Sequence, residues 1–94
     1  QPYDRESIRE ILKIRAVEEK IEMEDAALEK LTEIGERSSL RYAVQLLSLA
    51  SQNARRQKRE KVTAEDVERV SALFMDITEA AEYLKKYEER MLTH

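Results

Sequence analysis

The segment Ser38-Ser39-Leu40-Arg41-Tyr42 opens the most apolar helical pattern of this sequence and decides how the chain divides into helices. Gly35, the only glycine, stands just before it and predicts the end of one helix, because glycine adopts the left-handed turn that closes helices at little cost. Ser38 or Ser39 is predicted to cap the next helix, since a serine hydroxyl accepts one of its unpaired amide protons. The sequence therefore places a helix boundary between residues 35 and 39.

Arg41 follows in the first turn of that helix. The positive end of the helix dipole disfavours a cation there by about 0.3–1 kcal/mol at an exposed site. One explanation is that the guanidinium and the helix N-terminus both face the same anion, with phosphate the best candidate. The other is that Arg41 is simply solvated. The residue by itself leaves both explanations open.

The composition predicts a single all-α domain over residues 1–94. Hydrophobic residues make up 41% and charged residues 39%, with one Gly, one Pro and one Phe, so helix breakers and strand formers are scarce. The absence of cysteine excludes disulfides and thiolate metal sites. A net charge of −3 argues against nucleic-acid binding by the domain as a whole. No apolar run approaches the roughly 18 residues of a membrane span, and the missing initial Met indicates a fragment of a larger protein.

Hydrophobic periodicity predicts a small bundle of about five helices. They are expected at about residues 5–20, 25–34, 40–56, 63–74 and 77–91, with a short extended connector at residues 21–23. The third helix has the widest apolar stripe and should be central. Thr63 and Asp66 resemble a capping box, and Asp76 is predicted to cap the fifth helix. The apolar stripe of the fifth helix is expected to pack on the domain's own body, with a neighbouring subunit as the alternative.

A basic run occupies residues 55–61, at the end of the third helix and in the loop beyond it. Cations at a helix C-terminus are explained by the dipole alone. The functional alternative is a patch that binds the phosphate backbone of nucleic acid. No aromatic residue interrupts the run to offer a stacking surface for bases, so nucleic-acid binding has only weak support.

Candidate catalytic residues are almost absent. The single histidine is His94 at the terminus, and without cysteine there is neither a nucleophile–base pair nor a zinc site. With one glycine there is no glycine-rich phosphate loop. This chain alone is therefore not expected to hydrolyse nucleotide, and no metal-ligating residues are predicted.

The chain resembles the C-terminal helical lid domain of the RuvB-like AAA+ ATPases, the reptin and pontin family, over essentially its whole length. The segments that carry the resemblance are Pro2-Tyr3, residues 11–16, residues 31–35, residues 39–47, and the Asp66-Val67, Arg69-Val70 and Leu73-Phe74 pairs before Asp76. The Leu40-Arg41-Tyr42 segment is the most specific. Residues 21–23, 62–63 and 83–87 look more like reptin than pontin. Glu24 and Ser48-Leu49 depart from the family pattern.

The resemblance implies a nucleotide-sensing role for this domain. The equivalent of Arg41 is the family's sensor-2 arginine, which reaches from the lid to the γ-phosphate of ATP. Tyr3, Ile11 and Leu40 are implied on the adenine and ribose side of the pocket, although core packing explains Ile11 and Leu40 equally well. The implied cofactor is ATP or ADP, with Mg²⁺ held by the ATPase core outside this chain.

The resemblance also implies the setting of the parent protein. That protein would be an ATPase of the ATP-dependent DNA helicase and chromatin-remodelling type. Its lid would work with the ATPase core and with paralogous subunits in a hexameric or dodecameric ring. Its partners would be chromatin-remodelling and chaperone-like complexes. It would be located in the nucleus and also in the cytoplasm. The alternative from another class is a histone-fold-like helical module that binds DNA or a partner protein, suggested by Lys61 to Val67.

Overall fold

The computed structural model describes residues 3–92, apart from the side chains of residues 76–78 and 92. The elements follow in the order α1 (Arg5–Glu18), β1 (Glu22–Met23), α2 (Asp25–Arg37), α3 (Leu40–Arg56), β2 (Lys61–Val62) and α4 (Ala64–Leu92). The prediction of a small helical bundle is confirmed. His94 and Pro2 lie outside the described residues. Within residues 3–92 no helix combines the length and the apolar character that a membrane span requires.

The central position predicted for the third helix is confirmed. α3 spans Leu40–Arg56 and packs against each of the other helices and β2. Its cap is Ser39, whose Oγ accepts a hydrogen bond from the Tyr42 amide at 3.1 Å. The core around α3 is formed by buried side chains of every element except β1, which adds the half-buried Met23: chiefly Ile8, Leu12, Leu28, Leu31, Leu46, Leu47, Val62 and Val67.

Gly35 does not end a helix, and the prediction that it does is wrong. α2 continues through Arg37, and no glycine in residues 3–92 has a positive φ. A Cβ atom at position 35 would lie 2.9 Å from Cγ2 of Ile8 and 3.4 Å from Cβ of Ala43. Glycine is therefore needed here because α1 and α3 approach the α2 backbone too closely for a side chain.

Lysines occupy the left-handed turns that end α1 and α3. Lys20 and Lys58 have φ values of 57° and 61°. After Lys20, the Ile21 amide donates to the Ala16 carbonyl at 2.8 Å, and after Lys58 the Arg59 amide donates to the Ala54 carbonyl at 2.9 Å. Both are Schellman motifs, which satisfy carbonyls at the helix end. Because lysine gives no signal for a left-handed turn, the sequence placed the end of α1 two residues too late.

A small parallel sheet ties the two halves of the domain together. The extended connector predicted at residues 21–23 is confirmed, and β1 pairs with β2 so that Glu22 lies opposite Lys61 and Met23 opposite Val62. The Glu24 amide adds a hydrogen bond to the Val62 carbonyl at 2.9 Å. The sequence did not predict β2, because two residues are too few to show an alternating pattern.

α4 is one helix where two were predicted, so the expected count of about five helices becomes four within the described residues. The backbone stays helical through residue 76, and the predicted break at Asp76 is wrong. No glycine or proline occurs between residues 64 and 92. A single aspartate in a helix interior costs only about 0.5–0.7 kcal/mol relative to alanine, which is too little to interrupt the helix. The side chains of Asp76 and Ile77 lie outside the described ones.

The distal half of α4 extends beyond the bundle, so the prediction that its stripe packs on the domain's own body is wrong for the described side chains. Leu84, Tyr87 and Met91 are 59%, 54% and 61% exposed. Leu73, in the predicted fourth helix, is 58% exposed as well. A helix of 29 residues is about 44 Å long, whereas α3 has only 17 residues to cover it.

Candidate functional site

The N-terminal end of α3 carries the strongest functional candidate. The first turn of α3 contains no acidic residue, and Arg41 lies there with an exposed side chain. Arg41 forms no ion pair or side-chain hydrogen bond with any residue in the described part of the chain. Its guanidinium and the unpaired amides of the helix N-terminus are thus both available to an anion at this end of the bundle.

Arg5 provides an internal comparison, because it also lies in the first turn of a helix. Its two terminal nitrogens bind Glu29 at 2.7 Å and Glu36 at 2.6 Å. Hydrogen bonds to Glu29 and then Glu36 raise the pKa of Arg5 above its usual value. The unfavourable position of Arg5 is therefore compensated within the domain. No described carboxylate compensates Arg41 in the same way.

Tyr3 and Ile11 line one shallow hollow of about 470 Å³ beside the start of α1. Tyr3 is exposed and Ile11 is half-buried, so together they offer an aromatic and an aliphatic surface. The other residues of the hollow are Asp4, Glu6, Ser7 and Glu10. These carboxylates repel phosphate but can accept hydrogen bonds from an exocyclic amine. The hollow therefore suits the base of a nucleotide and not its phosphates.

Leu40 is half-buried and packs against the hydrophobic core. It does not line the hollow that Tyr3 and Ile11 share. The start of α1 and the start of α3 nevertheless lie at the same end of the bundle. The Arg5–Glu36 ion pair joins α1 to the last turns of α2, four residues before Leu40. The structure thus brings Tyr3 and Ile11 together and puts Leu40 and Arg41 at the same end of the domain.

Arg59, in the middle of the predicted basic run, is used within the fold. Its Nη1 and Nη2 bind the two oxygens of Asp66 at 2.6 and 2.7 Å. Asp66 also accepts hydrogen bonds from Asn53 Nδ2 at 2.8 Å and from the Thr63 amide at 2.9 Å. The Asp66 amide in turn donates to Thr63 Oγ1 at 3.2 Å, which confirms the predicted capping box with aspartate as its acid.

Asp66 is 1% exposed, and it is the most buried acid in the described chain. Burial by itself raises the pKa of its carboxyl, but the hydrogen bonds from Arg59, the Thr63 amide and Asn53 lower it by more. The net effect holds the pKa of Asp66 well below its ordinary value, so the carboxylate stays charged. Asp66 therefore joins the end of α3, the loop and the start of α4, and Arg59 is not available to a phosphate backbone.

The sequence did not reveal a groove between α3 and α4. The groove has a volume of about 360 Å³, with Leu49, Val70, Leu73 and Phe74 on its walls and Arg56 and Arg69 among its polar residues. Its sequence signal is the spacing of Val70 and Leu73, which continues the apolar stripe of distal α4 toward the N-terminus of that helix.

Groups of three or more metal-ligating side chains do not occur in the part of the chain that the structure describes. The candidate residues for a nucleotide among the described ones are the exposed, unpaired Arg41 and the hollow beside Tyr3 and Ile11.

Comparison with known proteins identifies the family of this domain. The family model of the TIP49 AAA-lid domain matches residues 11–76, a segment that includes Ile11, Leu40 and Arg41 but not Tyr3. The chain is similar to RuvB-like helicase 1 of Aedes aegypti, with 41% identity over 85 residues. That alignment covers 90% of this chain and 19% of the relative, so the chain spans about a fifth of the relative's length. The chain belongs to the TIP49 family of RuvB-like helicases and carries the family's AAA-lid domain.

Proposed function

We propose that this domain is the nucleotide-sensing lid of a RuvB-like AAA+ ATPase and that Arg41 contacts the γ-phosphate of ATP. One observation carries the proposal: Arg41 is exposed in the first turn of α3, without an acidic residue in that turn and without a partner among the described residues. The contrast with Arg5, which two carboxylates hold in the equivalent turn of α1, shows how this fold compensates such a cation when it is structural.

A guanidinium suits this role for physical reasons. It presents paired donors in a rigid plane and keeps its charge at any physiological pH, so its contact depends on the phosphate alone. ATP offers a terminal phosphate in reach of the lid, and ADP does not. The contact therefore closes the lid when ATP is bound, and loss of the contact after hydrolysis releases the lid. The catalytic groups and Mg²⁺ belong to the ATPase core, outside this chain.

The base of the nucleotide is proposed to rest against Tyr3 and Ile11. Their shared hollow is wide, shallow and lined by carboxylates, which favours a flat amine-bearing ring over a phosphate. Leu40 supports the adenine and ribose side with the part of its side chain that the core leaves uncovered. Adenosine at the start of α1 and phosphate at the start of α3 would place one nucleotide along the same end of the bundle.

The proposal extends to the parent protein by family membership. We expect an ATP-dependent helicase that assembles in hexameric or dodecameric rings, closer to reptin than to pontin in residues 21–23, 62–63 and 83–87. Chromatin-remodelling and chaperone-like complexes in the nucleus and cytoplasm are the proposed setting. The match to the AAA-lid model over residues 11–76 favours this lid over a histone-fold-like module.

The test is Arg41→Ala in the full-length parent protein. Loss of a charge-assisted contact worth about 1.5–3 kcal/mol is expected to lower ATP turnover on the order of 10- to 100-fold. Arg41→Lys should recover only part of this, because an ammonium lacks the paired donors. Far-ultraviolet circular dichroism of the 94-residue chain with Arg41→Ala should match the unsubstituted chain.

The matched control is Arg37→Ala. Arg37 is also exposed and lies in the last turn of α2, where a cation is favourable and no described residue pairs with it. Its replacement should leave turnover unchanged. Normal turnover by the Arg41→Ala protein, or equal losses in the two variants, would refute the assignment.

A further inference from the structure

The distal half of α4 carries an apolar surface that the domain itself does not cover. Five exposed residues follow one another at intervals of seven, four, three and four residues, the spacing of the a and d positions of a heptad repeat: Leu73, Ala80, Leu84, Tyr87 and Met91. Such spacing places side chains in one seam, as in helices that pair lengthwise. The seam is about 27 Å long, from the rise of 1.5 Å per residue over residues 73–91.

The seam continues into the groove between α3 and α4. Leu73 belongs to both, and Leu49, Val70 and Phe74 form the rest of the apolar wall of the groove. Seam and groove are therefore one surface. It starts between α3 and α4 and runs outward to the C-terminal end of α4.

Charge distinguishes the two ends of this surface. Arg56 and Arg69 border the groove, and neither forms an ion pair with a residue in the described part of the chain. The opposite end carries the exposed carboxylate of Glu88 beside the cation of Arg90 in the last turn of α4. Antiparallel pairing with a second α4 would bring the Glu88 carboxylate toward the two groove arginines.

We propose that two copies of this chain pair through α4 in antiparallel orientation. The seams then face each other around a two-fold axis, with Leu73 opposite Met91 of the second copy and Ala80 opposite Leu84 of the second copy. Each of these pairs sets a d position of the heptad repeat against an a position of the second copy, as in antiparallel coiled coils. The small side chain of Ala80 leaves room for Leu84 of the second copy. The C-terminal end of each α4 lies in the other copy's groove, near Arg56 and Arg69.

The area available is sufficient for such a pairing. Leu49, Leu73, Phe74, Leu84, Tyr87 and Met91 are 36–61% exposed. Large side chains present on the order of 150–250 Å² in full, so these leave on the order of 600 Å² per copy. Two copies would bury somewhat more than the roughly 1,000 Å² that separates specific interfaces from casual contacts.

The first test is sedimentation equilibrium of the 94-residue chain from micromolar to millimolar concentration. The average mass is expected to rise from 11.1 kDa toward twice that value. Leu84→Gln should weaken the association at least about tenfold, because it places an amide in the centre of the seam. The matched control is Lys85→Gln, which changes an exposed side chain about 100° around the helix and should leave the association unchanged.

The second test determines orientation, and the chain's lack of cysteine gives a clean background. Ala80→Cys chains mixed with Leu84→Cys chains should form mixed disulfide dimers in preference to either homodimer. Preferential homodimers would show a parallel pairing and overturn the proposal. A chain that stays monomeric at the highest concentration would overturn it too and would leave the surface to another part of the parent protein. Neither result bears on the role of Arg41, which is tested separately by ATP turnover.

Discussion

Asp66→Ala removes a small side chain but is expected to cost several kcal/mol of stability. Asp66 is 1% exposed and accepts hydrogen bonds from Asn53, Arg59 and Thr63. Alanine keeps the helix but removes every one of these acceptors. The perturbation therefore acts at the junction of α3, the loop and α4, far from Arg41 in the first turn of α3.

The magnitude follows from the fate of each partner. Loss of the Thr63–Asp66 capping box costs about 1 kcal/mol, as for other N-caps. The Asn53 side chain is only 7% exposed and loses its partner, which costs about 1–2 kcal/mol. The Arg59 side chain is 36% exposed and can rehydrate, so the loss of its pair adds little. The free energy of unfolding should fall by about 2–3 kcal/mol, a large part of the roughly 5–14 kcal/mol expected for this length.

Urea unfolding followed by far-ultraviolet circular dichroism measures this loss. The matched control is Glu65→Ala, which removes an exposed acid from the same helical turn and should cost less than about 1 kcal/mol through the helix dipole. If Asp66→Ala loses no more than Glu65→Ala, the network is not structural and the reasoning is wrong.

Three further predictions concern pH and backbone geometry. Because folding lowers the pKa of Asp66, its stabilisation should be complete above the unfolded carboxyl's pKa of about 3.9. The difference in urea unfolding between the original chain and Asp66→Ala should therefore begin to shrink below about pH 4 and shrink further as the pH falls toward the lowered pKa of the folded state. Gly35→Ala should lower stability by about 1 kcal/mol, since crowding of about 1–3 kcal/mol against Ile8 exceeds the helix-propensity gain. Lys58→Gly should raise stability by about 0.5–1 kcal/mol, visible as a higher melting temperature, because glycine adopts its positive φ without strain.

Each of these has a built-in comparison. The pH effect is specific to Asp66 if the difference between the original chain and Glu65→Ala changes little over the same range. For Gly35, the substitution Gly35→Ala should cost less stability in an Ile8→Ala background than in the original chain if the clash with Cγ2 of Ile8 is the cause, because alanine lacks that atom. Lys58→Ala should not stabilise, because alanine gains no access to a left-handed turn; equal melting temperatures for Lys58→Ala and Lys58→Gly would contradict the backbone argument.

The sequence revealed the candidate site only where the site depends on residues in a single helical turn. Ser39 caps α3 and Arg41 lies in the first turn of the same helix, so a serine cap followed by a cation could be recognised from the sequence. Tyr3 and Ile11 were suggested by the family resemblance alone, and the hollow that they share at the start of α1 is visible only in the structure. The groove between α3 and α4 depends on how two helices cross, which no short pattern encodes.

The sequence by itself determined the helical class, the limits of α3, the capping box at Thr63 and the position of Arg41, since each depends on residues within about one helical turn. Only the tertiary structure decided that Gly35 permits close packing, that Lys20 and Lys58 adopt left-handed turns, and that β1 pairs with β2. It also decided that α4 runs unbroken and leaves its distal stripe exposed. The physical reason is that caps and periodicity are local free energies, whereas the approach of one helix to another depends on contacts between residues far apart in the chain.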